Sequence, residues 1–208
     1  ALDNKTESTI MNSLSITNKE LTVIFIAHRL STVINCECIY EFEDGKIKSK
    51  GNYNDLINAS IVVELVHVAS LVHDDVLDNA QRRRGNVTIH NKIGINNAIL
   101  LGDSLFSYAL ELSTEFQDNM VCKIVSRATR KTCSGEIAQN FSIGDFGVTL
   151  KEYEQIISDK TGYLFGASCQ LGGTLSGVDS FDRANLESVG VSLGICYQIV
   201  LKMIFILM

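Results

Sequence analysis

The chain has 208 residues, 46% of them apolar and 20% charged, proportions that exclude disorder and collagen-like repetition. A formal net charge of −6 excludes a nucleic-acid binder that works through a basic face. Proline and tryptophan are both absent, so helices can run long, and no motif that requires proline can be present.

The first 58 residues read as strands. Thr22-Val23-Ile24-Phe25-Ile26-Ala27 is an apolar, partly β-branched run suited to a strand buried on both faces. Cys38 to Glu43 alternates apolar and polar, and Asp44-Gly45 then turns the chain into Lys46-Ile47-Lys48, the signal of a β-hairpin. A short helix around Asn54 to Ile57 closes the segment. Three strands make a poor independent core, so residues 1–58 are expected to be the end of a larger domain.

From Ala59 the pattern turns helical. Val62–Asp78, Asn97–Leu112, Asn119–Gln139, Leu150–Leu171 and Asp182–Met208 carry apolar residues at helical spacing. Loops such as Ser142-Ile143-Gly144-Asp145 and Ser176-Gly177-Val178-Asp179 separate them. The expectation is a mainly all-α fold, a helical bundle over residues 59–208 behind a short α/β segment. The six cysteines lack Cys-x-x-Cys spacing and are expected as buried or half-buried thiols of a reducing compartment. The polar amino end predicts no signal peptide. Ile195–Met208 is taken as the sole long apolar run, too short for the ~20 residues of a bilayer span and interrupted by Lys202. A cytoplasmic location without a membrane span is expected.

The chemistry concentrates at Asp74-Asp75-Val76-Leu77-Asp78. On a helix these carboxylates stand three and four residues apart and are expected to converge on one face. Their mutual repulsion is relieved by a hard cation, and Mg²⁺ needs only one or two carboxylates besides water and phosphate oxygens. Arg82-Arg83-Arg84-Gly85 follows. It reads both as a cationic last helical turn with a left-handed glycine cap and as a guanidinium fork for phosphate.

These residues carry a resemblance. Glu64 to Asp78 with Arg83-Arg84-Gly85 resembles the first aspartate-rich region of the trans-type polyprenyl diphosphate synthases. The likeness continues through Leu100-Leu101-Gly102-Asp103-Ser104-Leu105-Phe106, Gly135-Glu136-Ile137-Ala138-Gln139, Lys160-Thr161-Gly162 and Tyr197-Gln198. It implies an isoprenoid-synthase helical bundle that condenses an allylic diphosphate with isopentenyl diphosphate to a long-chain polyprenyl diphosphate. Asp74, Asp75 and Asp78 would bind Mg²⁺. By the same resemblance Arg83 would bind the allylic diphosphate and Arg84 isopentenyl diphosphate, with Lys160, Thr161 and Gln198 around the allylic group; Lys160 is also counted with the catalytic set. Ala69 and Ser70, small and one turn before the aspartates, would leave room for a long product. A homodimer or heteromer is left open, since a partner could complete the site.

Two departures qualify the likeness. After Tyr197-Gln198-Ile199-Val200 the family carries a second aspartate pair, where this chain has Leu201-Lys202. The family's early Gly-Lys-x-Arg-x-Pro region is absent too. The expectation is therefore a C-terminally truncated bundle with impaired activity. Residues 1–57 resemble a different family, the C-terminal part of ABC transporter ATPase domains. Ala1-Leu2-Asp3, Ala27-His28-Arg29-Leu30-Ser31-Thr32, the Asp44-Gly45 hairpin and Gly51-x-x-x-Asp55-Leu56 carry that likeness, with His28 as the nucleotide-contacting residue it implies. The alternatives to a prenyltransferase are thus an ATP-binding-cassette remnant and a composite chain without efficient activity of either kind.

Overall fold

The computed structural model describes residues 36, 38–43, 46–51 and 53–207. The chain divides into two compact units between Leu56 and Ile57. In the first, strands β1 (Ile39–Glu43) and β2 (Lys46–Gly51) pair antiparallel, from Ile39 opposite Gly51 to Glu43 opposite Lys46. Asp44-Gly45 falls between them, as a hairpin requires. The expected strand at Thr22–Ala27, the Ala1-Leu2-Asp3 run and His28 lie outside the described residues.

The short helix expected near Asn54 and the one expected from Val62 are a single helix, α1 (Tyr53–Leu77). No residue between them breaks a helix, and a nucleated helix extends at little cost. Ala59, Val62, Val66, Ala69 and Val72 form its buried stripe, at spacings of three and four that keep one face inward. By length and composition the Asn54–Leu77 stretch could cross a membrane, so Ile195–Met208 is not the only long apolar run. Here its Val62 and Val66 are core residues.

A two-residue hairpin, β3 (Arg82–Arg83) and β4 (Asn86–Val87), follows. Then come α2 (Ile89–Ile93), α3 (Ile95–Thr114), α4 (Asn119–Phe141), α5 (Leu150–Ile157), a π-helical turn (Ser158–Gly162), α6 (Tyr163–Leu175) and α7 (Ser180–Leu207). The expected Leu150–Leu171 helix is therefore interrupted by one wide turn. Its start is fixed by a capping box, in which the Thr149 side chain accepts from the Glu152 amide and the Glu152 carboxylate accepts from the Thr149 amide and hydroxyl. These bonds hold the Glu152 carboxyl below its usual range. The core joins Val62 and Val66 of α1, Ala109 of α3, Val121, Ile124, Val125 and Ala128 of α4, and Ala167 and Leu171 of α6. Cys38, Cys122, Cys133, Cys169 and Cys196 are free thiols. Cys36, Cys122 and Cys169 are half-buried, but Cys38, Cys133 and Cys196 are exposed, against the expectation.

Glycine sets how close α6 and α7 come. A Cβ on Gly190 would lie 2.6 Å from the Phe165 carbonyl oxygen and 2.7 Å from the Gly166 Cα. One on Gly194 would lie 2.8 Å from the Gly162 Cα. The two backbones touch across Gly162-x-x-x-Gly166 and Gly190-x-x-x-Gly194, and Arg127 of α4 clamps the group by donating to Gln170 (3.0 Å) and Glu187 (2.6 Å). Gly190→Ala must push these helices apart, which costs about 1–3 kcal/mol and should lower Tm by roughly 2–12 °C. Gly172→Ala, with open space around it, should leave Tm unchanged or slightly raised. Thermal unfolding followed by circular dichroism separates the two.

Candidate active site

The aspartates stand at the end of α1 where they are least welcome. Aligned peptide dipoles make a helix C-terminus negative, and the last turn of α1 contains no basic residue. Asp75 continues the buried stripe three residues after Val72 and is 4% exposed. A carboxylate so buried needs a bonded partner, and Arg83 supplies one, its Nε donating to Asp75 Oδ1 at 2.8 Å. The expected convergence of the three aspartates is thus not what the structure shows. Asp75 turns inward to Arg83, Asp78 is exposed just past the helix, and Asp74 lies between these extremes. Among the described residues no three carboxylate, histidine or cysteine side chains are gathered in a metal-binding group.

The chain closes α1 through Asn79, at φ +48°. The Ala80 amide donates to the Asp75 carbonyl (3.0 Å) and the Asn79 amide to the Val76 carbonyl (3.2 Å), a Schellman closure with asparagine in the left-handed position. The arginines therefore do not form a last helical turn, and Gly85 does not cap one. Arg83 pairs with Asn86 across β3 and β4, and Arg84 (φ +50°) with Gly85 (φ +82°) makes the two-residue turn. Left-handed values at both positions characterise a type I′ hairpin. Arg84 is exposed at its tip, whereas Arg83 is half-buried beside α1.

Lys160 enters from the π turn. Its Nζ bonds to Glu136 of α4, and both side chains are largely buried. A Cβ on Gly135 would fall 2.2 Å from the Lys160 backbone nitrogen, so only glycine lets α4 press so closely on the turn. Asp159, the residue before, accepts from Lys131 (3.1 Å) and Gln155 (2.8 Å). Thr161, the residue after, donates its hydroxyl to Gln198 Oε1 of α7 at 3.3 Å. Thr161 and Gln198, far apart in sequence, thus meet. Glu136 and Asp159 were not singled out as site residues. The Gly135-Glu136 dipeptide was visible, but a partner for its carboxylate across α4 and a π turn has no sequence period.

Burial raises the Asp74 carboxyl to about 6. Lys160 opposes the shift, and Glu136 and Asp78 add to it. The same neighbourhood reaches Cys133 of α4, whose thiol is pushed up by partial burial and by the charges of Asp74 and Asp103. Asp103 of α3 lies 3.4 Å from His73 Nε2, which also meets the Ile99 carbonyl at 3.1 Å. Ala69 is fully buried in the stripe, so it has no surface to offer a product chain; Ser70 is half-exposed, its hydroxyl bonded to the His67 carbonyl at 2.8 Å. The donor set fits Mg²⁺. Asp74 and Asp78 are hard oxygen donors without a bonded cation among the described residues, at a helix end that disfavours their charge, and the ion asks for one or two carboxylates.

The motif order agrees with the comparisons. The family described as Polyprenyl synthetase matches residues 19–200. The chain belongs to that family. Its match begins ahead of the expected domain boundary at residue 59. A short chain isoprenyl diphosphate synthase of Methanocaldococcus jannaschii is 34% identical over 154 residues, covering 72% of this chain and 47% of that protein. Heptaprenyl diphosphate synthase component 2 of Bacillus subtilis is 36% identical over 152 residues, covering 72% and 44%. Among solved structures, a geranylgeranyl pyrophosphate synthetase from Pyrococcus horikoshii matches with a TM-score of 0.67 at 36% identity, over 72% of this chain and 47% of that one. The chain spans about half the length of the curated relatives it matches. The fold of the helical unit is that of the all-α isoprenoid synthases.

The raised Asp74 carboxyl predicts a pH signature without divalent metal. A folded-state value of about 6 against 3.8 means that the folded chain binds the extra proton, so this group withdraws stability as pH rises from about 4 to 6. Asp74→Asn should therefore stabilise the metal-free chain at pH 7 by up to about 3 kcal/mol and have little effect at pH 4. Urea unfolding at both pH values in EDTA checks the difference; equal stabilities of variant and parent at pH 7 would refute it.

Proposed function

We propose that the chain is a prenyltransferase of isoprenoid biosynthesis, joining an allylic diphosphate to isopentenyl diphosphate. The observation that carries the reading is the pair of uncommitted carboxylates, Asp74 and Asp78, at the negative end of α1 in the field of Lys160. Asp74 and Asp78 would hold Mg²⁺, which when bound supplies positive charge to the departing diphosphate. Asp75 serves the site through Arg83, whose Nε it fixes while the terminal guanidinium nitrogens are left to meet diphosphate oxygens. Lys160 contributes a second cation, and Thr161 with Gln198 shapes the wall beside it. Arg84, exposed at the hairpin tip, suits the diphosphate of the isopentenyl substrate.

In the reaction the allylic C1–O bond breaks and its electron pair leaves with diphosphate. The isopentenyl double bond then forms the new C–C bond, and the released diphosphate takes the proton lost. Preorganised cations at the leaving group stabilise its developing charge. Leu201 and Lys202 follow Tyr197-Gln198-Ile199-Val200 and supply no carboxylate pair, so we assign the chain slow turnover. Half-buried Ser70 on the Asp74 face supports long products; buried Ala69 is packing. The free thiols support a reducing, cytoplasmic setting. The name of the Bacillus relative, component 2, supports a partner subunit, with a homodimer as the other arrangement. For residues 1–57 we propose the ABC-ATPase-like ending, supported by the β1–β2 hairpin and the division at Leu56.

Incubation with Mg²⁺, farnesyl diphosphate and labelled isopentenyl diphosphate should give slow formation of longer prenyl diphosphates. Asp74→Ala should remove at least nine-tenths of that product, and ATP should not bind, since no phosphate-binding loop is in the sequence. Binding of an allylic diphosphate analogue as tight in Asp74→Ala as in the parent would refute the metal assignment. Ser70→Phe, placing a ring one turn from Asp74, should shorten the products. Unchanged product length with activity retained would show that the channel runs elsewhere.

A further inference from the structure

We infer that Glu136 is a positioning residue, whose task is to hold the Lys160 ammonium off Asp74 so that Asp74 stays available to a divalent cation. The inference deepens the reading above and rests on it. Lys160 is the one cation on the π turn that faces this neighbourhood, and its charge is felt at Asp74, yet its bond goes to Glu136. A half-buried carboxylate and a lysine left together with no third group would pair directly, since low local polarity strengthens their attraction. Glu136 prevents that by offering the ammonium a closer, largely buried acceptor.

The backbone arrangement supports the same role. Gly135 brings α4 against the Lys160 main chain, so Glu136 on the next residue reaches the ammonium from a fixed point. Asp159, bonded to Lys131 and Gln155, and Thr161, bonded to Gln198, anchor the turn on both sides of Lys160. The main chain at Lys160 is thereby set, and what remains free is its long side chain, paired with Glu136 while its charge is felt at Asp74. Glu136 decides where that side chain goes. With it neutralised, Lys160 would take Asp74 as its partner and compete with the metal for the same oxygens.

The test is a double-mutant cycle read by Mn²⁺ binding alone, measured by electron paramagnetic resonance on the full chain, with Tm recorded for each variant. Glu136→Gln should weaken Mn²⁺ about tenfold. In a Lys160→Met background, where no ammonium can move to Asp74, the same substitution should cost much less, only what the loss of the Glu136 charge itself takes from the cation. Glu136→Asp, which keeps the charge, should restore most of the affinity. A loss of equal size in both backgrounds, or no loss with Lys160 present, would overturn the proposal, because a merely structural glutamate acts independently of the lysine. If Glu136→Gln unfolds, Glu136→Asp decides: a small loss of affinity that disappears in the Lys160→Met background supports the proposal, and a loss of equal size in both backgrounds overturns it. Mn²⁺ binding unchanged in Asp74→Ala would instead refute the metal reading itself, and this inference with it.

Discussion

Everything in the helical unit is arranged around carboxylates at the wrong end of a helix. The C-terminus of α1 is negative by virtue of its peptide dipoles, and three aspartates are added to it with no basic residue in its last turn. Such an arrangement persists only if each carboxylate finds a separate answer. Asp75 is answered by Arg83, brought back by a tight hairpin eight residues later. Asp78 is answered by water, being exposed beyond the last helical residue. Asp74 is answered incompletely: burial raises its carboxyl, and the lysine that opposes the shift is paired elsewhere.

Those answers depend on backbone features that bring distant segments within reach. Asn79 in the left-handed conformation ends α1 sharply, so that the chain reverses and returns Arg83 to Asp75. The π turn does the same for Lys160. One wide turn between α5 and α6 displaces the backbone by a residue, and such turns recur where a side chain must be aimed at a site. Gly135 then allows α4 to approach within contact of that turn, and Gly162 with Gly166 allows α7 to approach from the other side. Close helix contact thus fixes where the charges stand, at the cost of tolerating no Cβ at these positions.

Much of the helical unit was legible in the sequence because it follows a short period. The stripe from Ala59 to Val72 repeats every three or four residues, and the helices from Asn119 and Asp182 were placed within two residues of their observed starts. The aspartate cluster was legible as a cluster. Its internal division was not, because helical spacing gives the angle between Asp74 and Asp75 but not which of the two faces the core; the stripe at Val72 settles it only once burial is known. The arginine run was read as helix because three cations beside a glycine suit a C-terminus, whereas Asn79 had already ended the helix five residues before Arg84. The π turn has no sequence period at all, and Glu136 and Lys160 stand 24 positions apart on elements whose contact only tertiary packing creates.

The pairing of roles accounts for the site's charge. Asp75 and Glu136 each carry a bonded cation, Arg83 and Lys160. Among the described residues, Asp74 and Asp78 carry none. Four carboxylates against two bonded cations leave two negative charges, and one divalent ion carries the charge that balances them. The committed pairs cannot substitute for that ion, because separating either one would strand a buried charge, which costs several kcal/mol. The deficit is therefore confined to the two aspartates at the helix end, beside the guanidinium and ammonium groups that their partners hold ready. A site built this way has low affinity for an anion until the cation arrives, since the carboxylates repel it. On the proposed reading, a bound cation would cancel that repulsion, and metal and diphosphate would bind as a unit. On the same reading, substrate recognition would then be conditional on the metal through charge.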